Sequence, residues 1–167
     1  EMCIRDSYKE ITDAGAKPFG MWALNSLRIE KGYRAWKGDI STDYSLQEAG
    51  LSRFIKFDKE ENFLGKAALE IERQRGIKKQ FVTLIVSAGE CDAPYMSTLW
   101  KDGQIVGETT SGAWGYRTNS SIALGMIRSD LASAGIEIEV EIFGDRHKAV
   151  IQANGSIWDP LNERLRA

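Results

Sequence analysis

The residue types that could carry chemistry are few in this 167-residue chain: one histidine, two cysteines and some isolated carboxylates. His147 could act as an acid or base. Its neighbours Arg146 and Lys148 disfavour protonation, however, and no carboxylate nearby would orient the ring. It therefore reads as a surface residue just past a hairpin turn. Cys3 and Cys91 are far apart and fit no CxxC spacing, so with a single histidine they build no ordinary zinc site and are expected to be free thiols. Asp39, in KGDI, follows an aromatic turn and reads either as a functional acid or as a loop or cap residue. Glu30 lies eleven residues after Phe19, which at about 100° per residue returns it to the apolar helical face of Phe19, Trp22, Ala23, Ser26 and Leu27. A carboxylate there needs a partner, and the simplest are Arg34 at i,i+4 or water at the helix end.

The Thr109–Gly112 run, TTSG, suggests a phosphate loop, but strand-like IVGE precedes it and neither a helix nor a lysine follows. It reads instead as a barrel turn, with Gly112 at positive φ and the hydroxyls satisfying backbone groups. Trp114 and Tyr116 would then pack against a neighbouring domain. GxxxxGK[ST], GxGxxG after a strand, HExxH and GxSxG are all missing from the sequence.

The elements that must position these residues follow from pattern. Gly15 to Glu30 is expected to be helical, with Pro18 in the first turn and Gly32 as the stop. Arg53 to Phe57 alternates as a short strand. Asn62 offers an N-cap for a helix from Phe63 to about Arg75, ended by Gly76. After Lys79 the chain turns β-rich: FVTLIVSA, STLWKDGQIVGETTSG, SSIALGMI and IEIEVEIFGDRHKAVIQA. Two of these read as hairpins, turning at Asp102-Gly103 and Gly144-Asp145. The fold class is α+β: the C-terminal part of an α/β domain, then a small antiparallel Greek-key β-barrel. A boundary falls near residues 76 to 80, giving units at 8–77 and 78–167.

Composition excludes several function classes. With 43% hydrophobic and 28% charged residues and a net charge of -2, the chain has no electrostatic footprint for nucleic acid. No apolar run approaches a membrane span and no signal peptide is evident, so a cytoplasmic protein is expected. The first seven residues, EMCIRDS, read as a translated sequencing-adaptor scar. On that expectation the chain starts at a break in an assembled sequence and is a fragment.

LNSLRIEKGYRAWKGDI resembles the LRLEKGYRxWGxDI stretch in the C-terminal, folate-binding half of dimethylglycine and sarcosine dehydrogenases, relatives of the glycine-cleavage T-protein. SLQEAGLSRFIKFDKEENFLGKAAL, GETTSGAWGYRTNSSIALGMI and KAVIQANGSIWDPLNERLRA follow in the family order, so the resemblance covers about residues 14 to 167. It implies a parent that oxidises a methylated amino acid at a flavin and passes the one-carbon unit to tetrahydrofolate. The FAD domain, the catalytic aspartate and most of the folate cleft would lie upstream, which leaves this chain without a catalytic residue of its own. Its partners would be folate, the methylated substrate and the missing domains of its parent. The resemblance places Arg53 where relatives often carry an aromatic residue against the folate, so its guanidinium would stack on a ring or pair with the glutamate tail. It places Trp158 near a terminal aromatic that touches the cofactor, with a tryptophan capping the barrel as the alternative. Glu30 completes the candidate cofactor contacts. Leu24 stands where T-proteins carry a folate-gripping arginine, which favours the dehydrogenase branch over a stand-alone aminomethyltransferase. A non-catalytic folate-binding module of the iron-sulfur assembly type is the rival from another class, but those proteins show a KGCYxGQE-type motif, and here the turn is KGYRAWKGDI.

Overall fold

The structure, a computed structural model, describes residues 3–89 and 91–166. Three helices, α1 (Ile4–Asp13), α2 (Met21–Glu30) and α3 (Lys66–Arg75), precede six strands. These are β1 (Lys79–Val86), β2 (Thr98–Lys101), β3 (Gln104–Gly115), β4 (Ser120–Arg128), β5 (Glu137–Ile142) and β6 (Asp145–Ile151). All pair antiparallel and close into a barrel in the order β1-β4-β3-β2-β5-β6. Strands β2, β3 and β4 form a meander, and β6 closes the ring against β1.

Strand alternation sorts the side chains into two cores. Val82, Leu84 and Val86 of β1, with Ala123 and Ile127 of β4, fill the barrel interior together with Leu99, Val140 and Ile151. The alternate residues Phe81, Ile122, Leu124 and Met126 point outward, where Ile29 of α2 covers them. This second layer explains why SSIALGMI lacks polar alternation, since both faces of β4 are covered. The interior position of Gly107 is equally determined: a Cβ there would lie 2.1 Å from the Met126 carbonyl oxygen.

Several local expectations shift. The anticipated helix from Gly15 starts only at Met21, with Gly20 as an extended N-cap. Gly15 instead terminates α1 at φ 95°, with its N–H donating to the Thr12 carbonyl. Pro18 therefore lies between helices, where it holds the preceding residue away from helical backbone. The expected strand at Arg53–Phe57 is a 3-10 turn over Ser52–Phe54. Helix α3 starts three residues later than expected, at Lys66, because Gly65 sits at φ 89° before it. It ends at Gly76 as anticipated.

The Asp102-Gly103 turn forms with both residues at positive φ. The last hairpin turns at Phe143-Gly144, one residue earlier than expected, because that pair takes the left-handed conformation a two-residue hairpin requires. The TTSG run is no turn but the middle of β3. Gly112 is required there by space: a Cβ would lie 2.1 Å from the Ala93 carbonyl oxygen.

Candidate functional site

The apolar face assigned to α2 is largely bare. Trp22 is 89% exposed, Phe19 and Met21 are also exposed, and the helix docks instead through Ser26, Ile29 and Glu30. Glu30 is buried as expected, at 1% exposed, but not through the face it was counted on from Phe19, which precedes α2 and is exposed. Its partner is not Arg34. Oε1 accepts the backbone N–H of Arg117 at 2.7 Å and that of Thr118 at 3.1 Å, with the Thr118 hydroxyl at 3.3 Å. These donors belong to the β3–β4 turn, so Glu30 ties the end of α2 to the barrel. Ser26 adds a second tie by donating to the Trp114 carbonyl at 2.6 Å.

The C-terminal segment folds back onto the same helix end. The N–H groups of Ile157 and Trp158 both donate to the Glu30 carbonyl at 3.0 Å, and Thr83 Oγ1 donates to the Gly155 carbonyl at 2.9 Å. Gly32, at φ 67°, lies so close that a Cβ would come within 2.0 Å of the Gly155 oxygen. Lys31 pairs with Asp159 at 3.2 Å and is largely covered. The Trp158 ring carries two cations above it, with Arg117 Cζ 4.3 Å and Lys31 Nζ 5.4 Å from the centroid.

Asp39 is fully buried and is a hub rather than a simple cap. It forms an ion pair with Arg28, receives the Thr110 hydroxyl at 2.6 Å and the Ser111 hydroxyl at 2.7 Å, and accepts the Ala35 N–H at 2.8 Å. Arg28 also donates to Ser111 Oγ at 2.7 Å and to Asn25 Oδ1 at 2.9 Å. The β3 hydroxyls expected to serve backbone groups are thus spent on a buried carboxylate, and only Thr109 follows the expectation by donating to the Pro94 carbonyl. The sequence reading missed Arg28, Thr110 and Ser111. A buried aspartate announces a need for donors, but the spacing of 71 residues to Thr110 hides which ones.

The predicted contacts are only partly gathered. Glu30 and Trp158 meet directly through the main chain. Arg53 is exposed, with its guanidinium 4.8 Å from the Phe54 ring centroid. It lines a polar cleft of about 360 Å³ with Lys31, Arg34, Gly50, Asn154 and Ser156. Arg34 sits over the Phe81 ring at 4.3 Å. Burial, then the positive charge of Arg53, lowers the Arg34 pKa, while Asp39 opposes the shift. Leu24 borders an apolar cleft with Met21, Tyr33, Arg34 and Ala35, and Tyr33 and Arg34 line both clefts.

Both oxygens of Asp39 are held by fixed donors and Oε1 of Glu30 by three, His147 is a half-buried residue of β6 opposite Val140, and both cysteines are exposed free thiols. Among the described residues no cluster of His, Cys, Asp and Glu could hold a metal ion, and no helix is long and apolar enough to cross a membrane.

Residues 79–155 match the family described as the glycine cleavage T-protein C-terminal barrel domain, and residues 3–59 match the GCVT N-terminal domain. The chain belongs to the glycine cleavage T-protein family. Mitochondrial dimethylglycine dehydrogenase of Mus musculus is 35% identical over 164 residues, which is 95% of this chain and 19% of that protein. Mitochondrial sarcosine dehydrogenase of Mus musculus is 34% identical across 95% of this chain and 18% of its own length. An aminomethyltransferase of Prochlorococcus marinus is 31% identical over 86% of this chain and 38% of its own. The chain thus spans about a fifth of the two dehydrogenases. The crystal structure of the glycine cleavage system aminomethyltransferase T from Bartonella henselae superposes with a TM-score of 0.85 at 22% identity, over 95% of this chain and 44% of that one. That likeness establishes the shared fold.

Proposed function

We propose that this chain forms one wall of the tetrahydrofolate site in a larger FAD-linked dimethylglycine or sarcosine dehydrogenase. That parent would pass the one-carbon unit of its substrate to folate. The observation that carries the reading is the 35% identity to a dimethylglycine dehydrogenase across nearly the whole chain.

In this reading Trp158 offers an aromatic surface and Arg53 a planar cation, while Glu30 acts from behind by fixing the segments that carry Trp158 and Arg117. Burial of Glu30 moves it from direct cofactor contact to positioning. Folate supplies the one-carbon acceptor and FAD, held by the upstream part of the parent, supplies the oxidant. A stand-alone aminomethyltransferase is the second reading, favoured by the Prochlorococcus relative and disfavoured by Leu24 in place of the folate-gripping arginine.

Assay of the full-length parent for dimethylglycine- or sarcosine-dependent flavin reduction tests the branch. Calorimetry of tetrahydrofolate with the parent tests the wall: Arg53→Ala should weaken binding by about 1–2 kcal/mol, roughly tenfold. Equal affinities would remove Arg53 from the site. Turnover of dimethylglycine by the 167-residue chain itself would overturn the reading.

A further inference from the structure

Asn154 is the chain's only asparagine followed by glycine. At such a pair the backbone can react with its own side chain, because a nitrogen on a residue without Cβ is open to the neighbouring amide carbon. The fold leaves both partners free to do so. Asn154 and Gly155 are exposed, in a bend between β6 and the segment that carries Trp158. Among the described residues neither the Asn154 side-chain amide nor the Gly155 N–H has a hydrogen-bond partner, and Gly155 is tied only through its carbonyl, which accepts Thr83 Oγ1. Other asparagines are held: Asn25 Oδ1 accepts from Arg28 within α2, and Asn62 Oδ1 accepts the N–H of Phe63, the group that would have to attack.

The electrostatics favour the same step. The attacking nitrogen must give up its proton, and neighbouring positive charge stabilises the anion. Asn154 and Gly155 line the cleft that Arg34 and Arg53 also line, and no aspartate or glutamate is among its lining residues. Its third cation, Lys31, is paired with Asp159, whereas Arg34 Nε is covered and has no partner.

We propose that Asn154 is a self-modification site, at which cyclisation onto Gly155 converts the amide to a carboxylate facing the uncompensated arginines of the cleft. The Gly155 nitrogen loses its proton to solvent and bonds to Asn154 Cγ, the Cγ–Nδ2 bond breaks, and ammonia leaves a cyclic imide. Water then opens the ring. Attack at Cγ gives aspartate, and attack at the main-chain carbonyl carbon gives isoaspartate, with the chain rerouted through Cβ and Cγ. The isoaspartate product adds one carbon to the main chain between two ties to the same residue: the Gln152 N–H donating to the Thr83 carbonyl at 2.9 Å and the Gly155 carbonyl accepting Thr83 Oγ1 at 2.9 Å. The proposal is independent of the folate reading.

The test is incubation of the folded 167-residue chain at mildly alkaline pH, followed by tryptic mapping of residues 149–164 by mass spectrometry and by enzymatic methylation of isoaspartate. Asn154 should convert roughly tenfold or more faster than Asn119 and Asn162, with isoaspartate among the products. Gly155→Ala should slow conversion about tenfold and leave the unfolding midpoint unchanged, since a Cβ there meets nothing within 4 Å. Asn154→Asn-retaining chain alongside a free 149–164 peptide that converts would show that the fold protects the pair and would overturn the proposal. Wild-type conversion in Gly155→Ala, or aspartate formed without isoaspartate, would overturn it equally. In the Asn154→Asp variant the NMR Nε–Hε resonances of Arg34 and Arg53 should shift; unchanged resonances at both would overturn the neutralisation of the cleft.

Discussion

The backbone N–H of Trp158 donates to the backbone carbonyl of Glu30 at 3.0 Å, which joins two residues 128 positions apart at the point where α2 ends. Because the Glu30 side chain simultaneously accepts from Arg117 and Thr118, one residue holds the C-terminal segment and the β3–β4 turn together. The indole of Trp158 and the guanidinium of Arg117 above it owe their placement to that residue.

Glu30→Ala should therefore cost about 2–4 kcal/mol, since it strips an anionic acceptor from two backbone N–H groups in a covered site. Glu30→Gln, which keeps an acceptor oxygen, should cost less than half as much. Urea unfolding of both variants checks the ordering, and equal losses would show that packing volume and not hydrogen bonding matters at this position.

The Arg28–Asp39 pair should behave as a coupled unit. Asp39→Asn leaves the Arg28 charge facing Thr110 and Ser111 without a counter-charge, and about 3–5 kcal/mol should be lost. Arg28→Met in that background should recover part of the loss. A double-mutant cycle by chemical denaturation measures the coupling, and additive effects would mean that the two charges act independently.

Gly32 and Gly65 both sit at positive φ, but only Gly32 faces another backbone at close range. Gly65→Ala should cost about 1 kcal/mol, the conformational penalty of the left-handed region alone. Gly32→Ala should cost at least twice that, because the new methyl must push Gly155 away and with it the segment leading to Trp158. Equal thermal shifts for the two variants would refute the close approach.

Tyr44 donates to Glu108 Oε1 at 3.0 Å, and burial, followed by that hydrogen bond, raises its pKa from 10.0 to about 12. The folded state thus holds this proton more tightly than the unfolded state does. Its contribution is complete below pH 10 and is lost as pH rises through about 12. The unfolding midpoint of the wild type should fall more steeply over that interval than that of Tyr44→Phe. Parallel curves would show that the Tyr44 proton is not linked to folding.

What the sequence by itself determined is whatever depends on neighbours along the chain. Strand alternation marked the β-rich half, Asp102-Gly103 marked its hairpin, and Gly76 marked the end of α3. Four ordered motifs carried the family likeness. The same local patterns misled where one residue type serves two purposes. Gly15 looked like a helix start and is a stop, and Gly112 looked like a turn and is a strand residue that makes room for Ala93. Tertiary structure alone decided the partners. The donors to Glu30 lie 87 and 88 residues away, and those to Asp39 include Thr110 and Ser111 on β3. It also left Trp22 bare although its spacing matched a buried face. Burying a charge demands compensation from whatever donors the completed barrel brings near, and periodicity along one segment carries no information about a strand that arrives from eighty residues downstream.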